Sequence, residues 1–205
     1  MHEAVEYLAP ALLIGAGATA FMDLVMATRK RLLGVPSPDY GLVGRWLAYL
    51  ARGRFRHDSI NASPPVRGEH VIGWTAHYLI GIAFATLLLA IWGLDWTCRP
   101  TLAPALIVGI GSVAAPFLLM QPGMGAGIAA SRTREPNVAR VRSLVTHAVF
   151  GLGLYAAGLL ASLLWPFHCE GLQEASEGRN GVIASEPLTP SRHFPISPFD
   201  RAALL

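Results

Sequence analysis

Four stretches of about twenty predominantly apolar residues constrain what this 205-residue chain can fold into: Leu8–Thr28, Val71–Leu94, Thr101–Met120 and Leu144–Phe167. At 1.5 Å per helical residue, each is long enough to cross a hydrocarbon core of about 30 Å. The second and fourth contain no Asp, Glu, Lys or Arg, and each carries one histidine near its start and a Trp near its end, where an interfacial aromatic belongs. In the third, Pro104 suits a first turn, whereas Pro116 should kink the helix unless neighbours satisfy the freed carbonyl. Composition points the same way: 14% of residues are charged, against about a quarter in soluble domains. The expected fold is therefore all-α, a polytopic membrane protein with four transmembrane helices in residues 1–169 and no separate soluble domain. Residues 170–205, with Pro187, Pro190, Pro195 and Pro198, lack periodicity and read as a disordered tail.

The basic residues set an orientation. Twelve of the sixteen Lys and Arg fall in loops 29–70 and 121–143, so the positive-inside rule puts both loops in the cytoplasm and both termini outside. The N-terminal residues carry no basic region before the first apolar run, so that span is expected to be retained rather than cleaved. A net charge of +3 divided between two separated clusters argues for membrane-proximal placement and against nucleic acid. Arg29, Lys30, Arg31, Arg132 and Arg134 are the candidates to meet lipid phosphates. Within the first loop, Leu42, Val43, Trp46, Leu47, Leu50 and Phe55 recur at three- and four-residue steps. This pattern predicts an amphipathic helix, either on the inner leaflet or packed on the bundle.

The chain also resembles itself. Ile14–Met26 aligns without gaps on Val108–Met120, placing Gly15 on Gly109 and Gly17 on Gly111, and the second and fourth spans share a His-x-x-x-Gly step, His77 to Gly81 and His147 to Gly151. This reads as two parallel hairpin repeats related by an axis along the membrane normal. Chance similarity between Gly/Ala-rich spans is the alternative. Asp23 aligns with Phe117, so the symmetry breaks at a carboxylate.

Asp23 is an ionisable group inside a span, where a charge costs about 2.5 to 3.5 kcal/mol on insertion scales, so it should face the bundle interior and have a partner. At 1.5 Å per residue, Asp23 lies about 9 Å from Arg29, His77 about 9 Å from Val71 and His147 about 7.5 Å from Arg142. All three share one level in the cytoplasmic third, with Gln121 near it and Thr19 one turn from Asp23. Asp23, His77, His147, Thr19 and Gln121 are therefore the candidate proton or cation cluster, a carboxylate with imidazoles that accept protons or hold part of a metal site. A buried hydrogen-bond cluster that only fixes helix packing is the alternative. No complete metal ligand set is assigned. His77 and His147 could act as axial ligands of a haem, but no further haem signal accompanies them and no cofactor is expected.

The Gly-rich segment Gln121–Ser131 follows a membrane span rather than a strand, so a tight turn or an interfacial piece is expected there, not a phosphate loop. Cys98 and Cys169 fall just beyond the outer ends of spans two and four, where they form a disulfide or remain as two thiols. No nucleophile elbow, zinc-protease helix, Walker loop or catalytic carboxylate pair occurs, and an enzyme is not the expected reading.

Together the segments GAGATAFMD (15–23), VGRW (43–46), GWTAHY (73–78), PTLAPAL (100–106), PFLLMQPGMGAGIAASRT (116–133) and HAVFGLGLY (147–155) resemble a family of small bacterial integral-membrane proteins, the domain of unknown function 2938 family. The resemblance covers about residues 5 to 165, and the long segment beginning at Pro116 is its most specific part. It implies a four-span protein of the bacterial inner (plasma) membrane and assigns no catalytic residues. Two readings follow from these observations. One is a small proton-coupled or cation-responsive, transporter-like protein using the Asp/His cluster. The other is a structural or accessory protein that scaffolds a larger complex. The lipid bilayer is the expected partner, with a homo-oligomer or a larger membrane complex left open.

Overall fold

The computed structural model describes residues 2–164, so the tail from 170 and Cys169 lie outside the described residues. It is all-α. The long helices α1 (His2–Leu33), α3 (Glu69–Trp92) and α7 (Pro136–Leu164) are continuous. Between them come α2 (Tyr40–Leu50), the short α4 (Asp95–Cys98), α5 (Leu102–Gly111) and the single turn α6 (Gln121–Gly123). Four helical segments are long and apolar enough to cross a membrane: Tyr7–Leu33, Glu69–Trp92, Leu102–Gly123 and Pro136–Leu164. Their outer faces carry exposed large apolar side chains such as Leu24, Val71, Leu79, Ile107 and Leu118, the pattern of a bundle solvated by lipid rather than water.

Local chemistry explains the ends. Gly34, at φ +66°, closes α1 with its amide on the Lys30 carbonyl, and Gly93, at φ +82°, closes α3 on Leu89, both in the left-handed conformation that favours glycine. Asp39 caps α2 by accepting from the Gly41 amide at 2.8 Å. Pro136 opens α7, where a missing amide costs nothing. At Pro116 the third span leaves regular α-helix for a π-helical turn over Pro116–Met120. Proline cannot donate to Ser112, so the Ser112 carbonyl accepts from Ala115 instead and the register widens beyond it.

Helix α1 packs along both α3 and α7, and α5 along α7, whereas α3 and α5 meet only slightly. Glycines set the closest crossings. A Cβ on Gly15 would collide with the Ile82 backbone and one on Gly109 with the Gly151 backbone, the close approach that small residues permit between apolar helices. Helix α2 forms where the apolar steps predict it, and it lies against α3. Its buried residues are Gly41, Gly44 and Trp46, while Leu50 and, just beyond the helix, Phe55 are exposed. A Cβ on Gly44 would strike the Glu69 carbonyl, and one on Gly73 the Tyr40 carbonyl.

The two long connections converge at one end of the bundle. The His57 amide donates to the Gly123 carbonyl at 2.9 Å and the Ile60 amide to Met124 at 3.0 Å. Trp46 Nε1 donates to the Phe55 carbonyl at 2.9 Å. Arg45 clamps the junction. Its Nη2 and Nε donate to the Glu69 carboxylate at 2.7 and 2.8 Å and its Nη1 to the Ser63 carbonyl at 3.0 Å, a bidentate pair that raises the already high guanidinium pKa. The Gly-rich segment is a turn followed by a 3₁₀ turn over Ile128–Ala130, with Ala129 and Ala130 in the left-handed region. The Ala129 carbonyl accepts from Arg140 Nε at 2.8 Å.

His57 is buried in this junction, with Nδ1 2.9 Å from Ser63 Oγ and the Tyr49 ring edge-on to it. Burial, then the Arg54 charge, hold its imidazole below the ordinary histidine pKa, with Asp58 opposing weakly. The unfolded chain takes up a proton from about pH 6.5 downward, before the folded one does, so stability is retained above that pH and lost as pH falls toward the folded value. The Tm of the detergent-solubilised protein should therefore fall on acidification below about pH 6.5, and His57→Gln should remove part of that fall. An identical pH slope in the variant contradicts this assignment.

Candidate functional site

Asp23 and His77 meet. His77 Nε2 lies 3.1 Å from Asp23 Oδ1, with the two side chains 12% and 20% exposed respectively, the geometry of an imidazole N–H donating to a carboxylate. Tyr40 completes the group from α2: its hydroxyl donates to the same Oδ1 at 3.4 Å, and its ring stacks on the imidazole with centroids 4.1 Å apart and planes at 25°. Burial and then the Asp23 charge push the Tyr40 phenol pKa up, so it stays a hydrogen-bond donor throughout the neutral range. Trp74 packs on Tyr40 at 4.7 Å and edge-on to His77 at 5.8 Å. Asp23 Oδ2 is buried with no hydrogen bond of its own, although the Tyr78 hydroxyl stands near the carboxylate.

Two adjoining cavities, whose linings share Met26, Ser37, Pro38 and Tyr40, meet the group. One, of about 540 Å³, is lined by Asp23, Tyr40 and Trp74 with Lys30 and Arg31. The other, of about 590 Å³, is lined by His77 and Tyr40 and reaches Thr19, Gln121 and His147. A carboxylate facing one space and its imidazole partner facing the other can pass a proton between the two through a single hydrogen bond, with the phenol holding the carboxylate in place.

The remaining expected members stand apart from this contact. His147 lines the larger cavity, and neither of its ring nitrogens has a hydrogen-bond partner among the described residues; Gln121 Oε1 is likewise buried and unpaired. Thr19 is 1% exposed, and its hydroxyl donates to its own helix at the Gly15 carbonyl, 2.8 Å away. Among the described residues, no group of three or more His, Cys, Asp or Glu is placed to hold a metal ion. Arg29 lines the larger cavity, and Arg132 and Arg134 are exposed. Cys98 ends α4.

Tyr40, Trp74 and the Arg45–Glu69 pair escaped sequence reasoning. The available signals were Gly41 and Gly44, which mark a face of α2 made for close docking, and Trp74 and Tyr78 flanking His77 within one segment.

Fold and site define an all-α protein with four candidate membrane helices and a carboxylate–imidazole pair between two of them, braced by a docked helix. The chain belongs to the family described as Protein of unknown function (DUF2938), whose model matches residues 12–161. No curated protein and no solved structure matches it.

Proposed function

We propose that the protein is a small proton-coupled or cation-responsive, transporter-like membrane protein in which Asp23 and His77 form the proton-binding element. One observation carries the reading: the pair closes at 3.1 Å between two helices, with Asp23 on one cavity and His77 on the other. In this account Asp23 supplies the counter-charge, His77 exchanges the proton, and His147 across the larger cavity is a second accepting group. In a strain lacking the chromosomal copy, the wild-type gene should restore pH-dependent cation accumulation and His77→Ala should not. Wild-type accumulation in the variant would sink the reading and favour a scaffold in which the cluster only locks helices.

The same reading takes the setting as a bacterial inner membrane, with loops 29–70 and 121–143 cytoplasmic, α2 near the inner interface and residues 1–169 as the membrane domain. Arg29, Lys30, Arg31, Arg132 and Arg134 then meet lipid phosphates. Support for two parallel repeats comes from glycine equivalence: Gly15 abuts Gly81 and Ile82, as Gly109 abuts Gly151, its aligned counterpart. Cys98 and Cys169 pair outside the membrane in this arrangement. A membrane-impermeant maleimide applied to intact spheroplasts should accordingly modify the protein only after reduction. Labelling without reductant argues against the disulfide, and labelling confined to inverted vesicles reverses the topology.

A further inference from the structure

The larger cavity has a polar end, an apolar end and an opening to the side. Its lining contains Arg29 and Arg142 and no carboxylate. The two arginines belong to one level: Thr146 Oγ1 lies 3.8 Å from Met26 Sδ, and on these antiparallel helices Arg29 follows Met26, as Arg142 precedes Thr146, by about one turn toward the connecting loops. Among the described residues, neither arginine forms an ion pair. The unpaired polar atoms of Gln121 and His147 stand near the same end. Farther from the loops the walls are Met22, Phe84, Ala115 and Phe150, and from Arg29 to Thr19 the lining extends about 15 Å along α1.

The side opening lies between α3 and the π turn Pro116–Met120, which hardly touch. Ile80 and Leu119 both line the cavity, yet they are 49% and 58% exposed, so the space reaches the lipid-facing surface between these helices. The π turn at Pro116 forms part of this wall. A volume of about 590 Å³ is that of a small-molecule site.

From this arrangement we infer that the cavity binds an anionic long-chain amphiphile drawn laterally from the bilayer. Its carboxylate or phosphate head sits between Arg29 and Arg142 and accepts from the Gln121 side-chain NH2 and a His147 ring N–H. Its chain runs along Met22 and Phe84 and leaves between Ile80 and Leu119. The head and tail then occupy the depths they hold in a leaflet, so entry requires no inversion of the lipid. Neither arginine has a carboxylate partner to give up, and the protonated ring nitrogen of His147, buried without an acceptor, gains one in the head. The inference goes beyond the proton chemistry proposed above, whose His77 and His147 line the same cavity, and Asp23, which does not line it, separates the two in the test.

Native mass spectrometry of the delipidated full chain tests it, with palmitate and palmitoyl lysophosphatidic acid as anionic probes and palmitoyl lysophosphatidylcholine and hexadecanol as controls without net charge. A single adduct is expected with at least one anion, held at least tenfold more tightly than either control, and the better anion identifies the head chemistry. The double variant R29Q/R142Q should lose that preference, and Ala115→Phe, which fills the apolar part, should weaken all four probes together. Asp23→Asn should retain the adduct, so a loss of proton flux in that variant is separable from a loss of lipid. Equal retention of all four probes, or an anion preference unchanged in R29Q/R142Q, overturns the inference.

Discussion

Replacing Gly73 by leucine should detach α2 from α3 and lower stability by about 3 kcal/mol, the upper end of ordinary overpacking. The cost is high because the contact is backbone on backbone: a Cβ at position 73 would collide with the Tyr40 carbonyl, and at the reciprocal Gly44 with the Glu69 carbonyl. No side-chain rotation relieves either clash, so the helices must separate. Separation moves the Tyr40 hydroxyl off Asp23 and its ring off His77. The four apolar helices can still insert, because insertion precedes and is independent of helix docking. The expected signature is therefore a correctly inserted protein with a lower Tm. An unchanged Tm would show that the α2–α3 crossing is not the fixed contact described here.

Asp23→Asn should abolish proton handling while leaving the fold nearly intact. Asparagine keeps an oxygen acceptor for His77 Nε2 and the Tyr40 hydroxyl, so hydrogen bonding changes by about 1 kcal/mol, and loss of an intramembrane charge offsets part of that. What disappears is the carboxylate that faces His77 Nε2 at 3.1 Å. Asp23→Leu is the structural contrast. It strands two donors in a largely buried site, at about 1 to 3 kcal/mol each, and should lower the Tm clearly. A protein that uses the cluster only for packing would tolerate Asn and suffer from Leu with no separate functional loss. A proton-handling protein loses function in both.

Depth arithmetic put Asp23 and His77 at one level because each lies the same number of turns from the loop-side end of its span on antiparallel helices, and height along a helix is readable from residue number alone. Rotation about the helix axis is not. It follows from which glycines let the backbones approach, and this is why His147, at the same height, faces a cavity rather than Asp23. Thr19 shares a helix face with Asp23, yet its hydroxyl turns back to Gly15, as threonines in apolar helices readily do. Tyr40 was out of reach for another reason. It sits seventeen residues from Asp23 on a helix whose docking depends on the Gly44–Gly73 approach, which apolar periodicity does not report. The break in regular α-helix at Pro116 was legible because one missing amide dictates it.

The most direct measurement is proton flux into liposomes reconstituted with the full chain, followed with an entrapped pH dye under an imposed potassium diffusion potential. The account predicts that wild-type protein accelerates acidification over empty liposomes, and that Asp23→Asn and His77→Ala each reduce that protein-dependent rate at least tenfold at equal reconstitution and near-equal Tm for Asp23→Asn. Flux in Asp23→Asn equal to wild type, or wild-type flux no greater than that of empty liposomes, would contradict it.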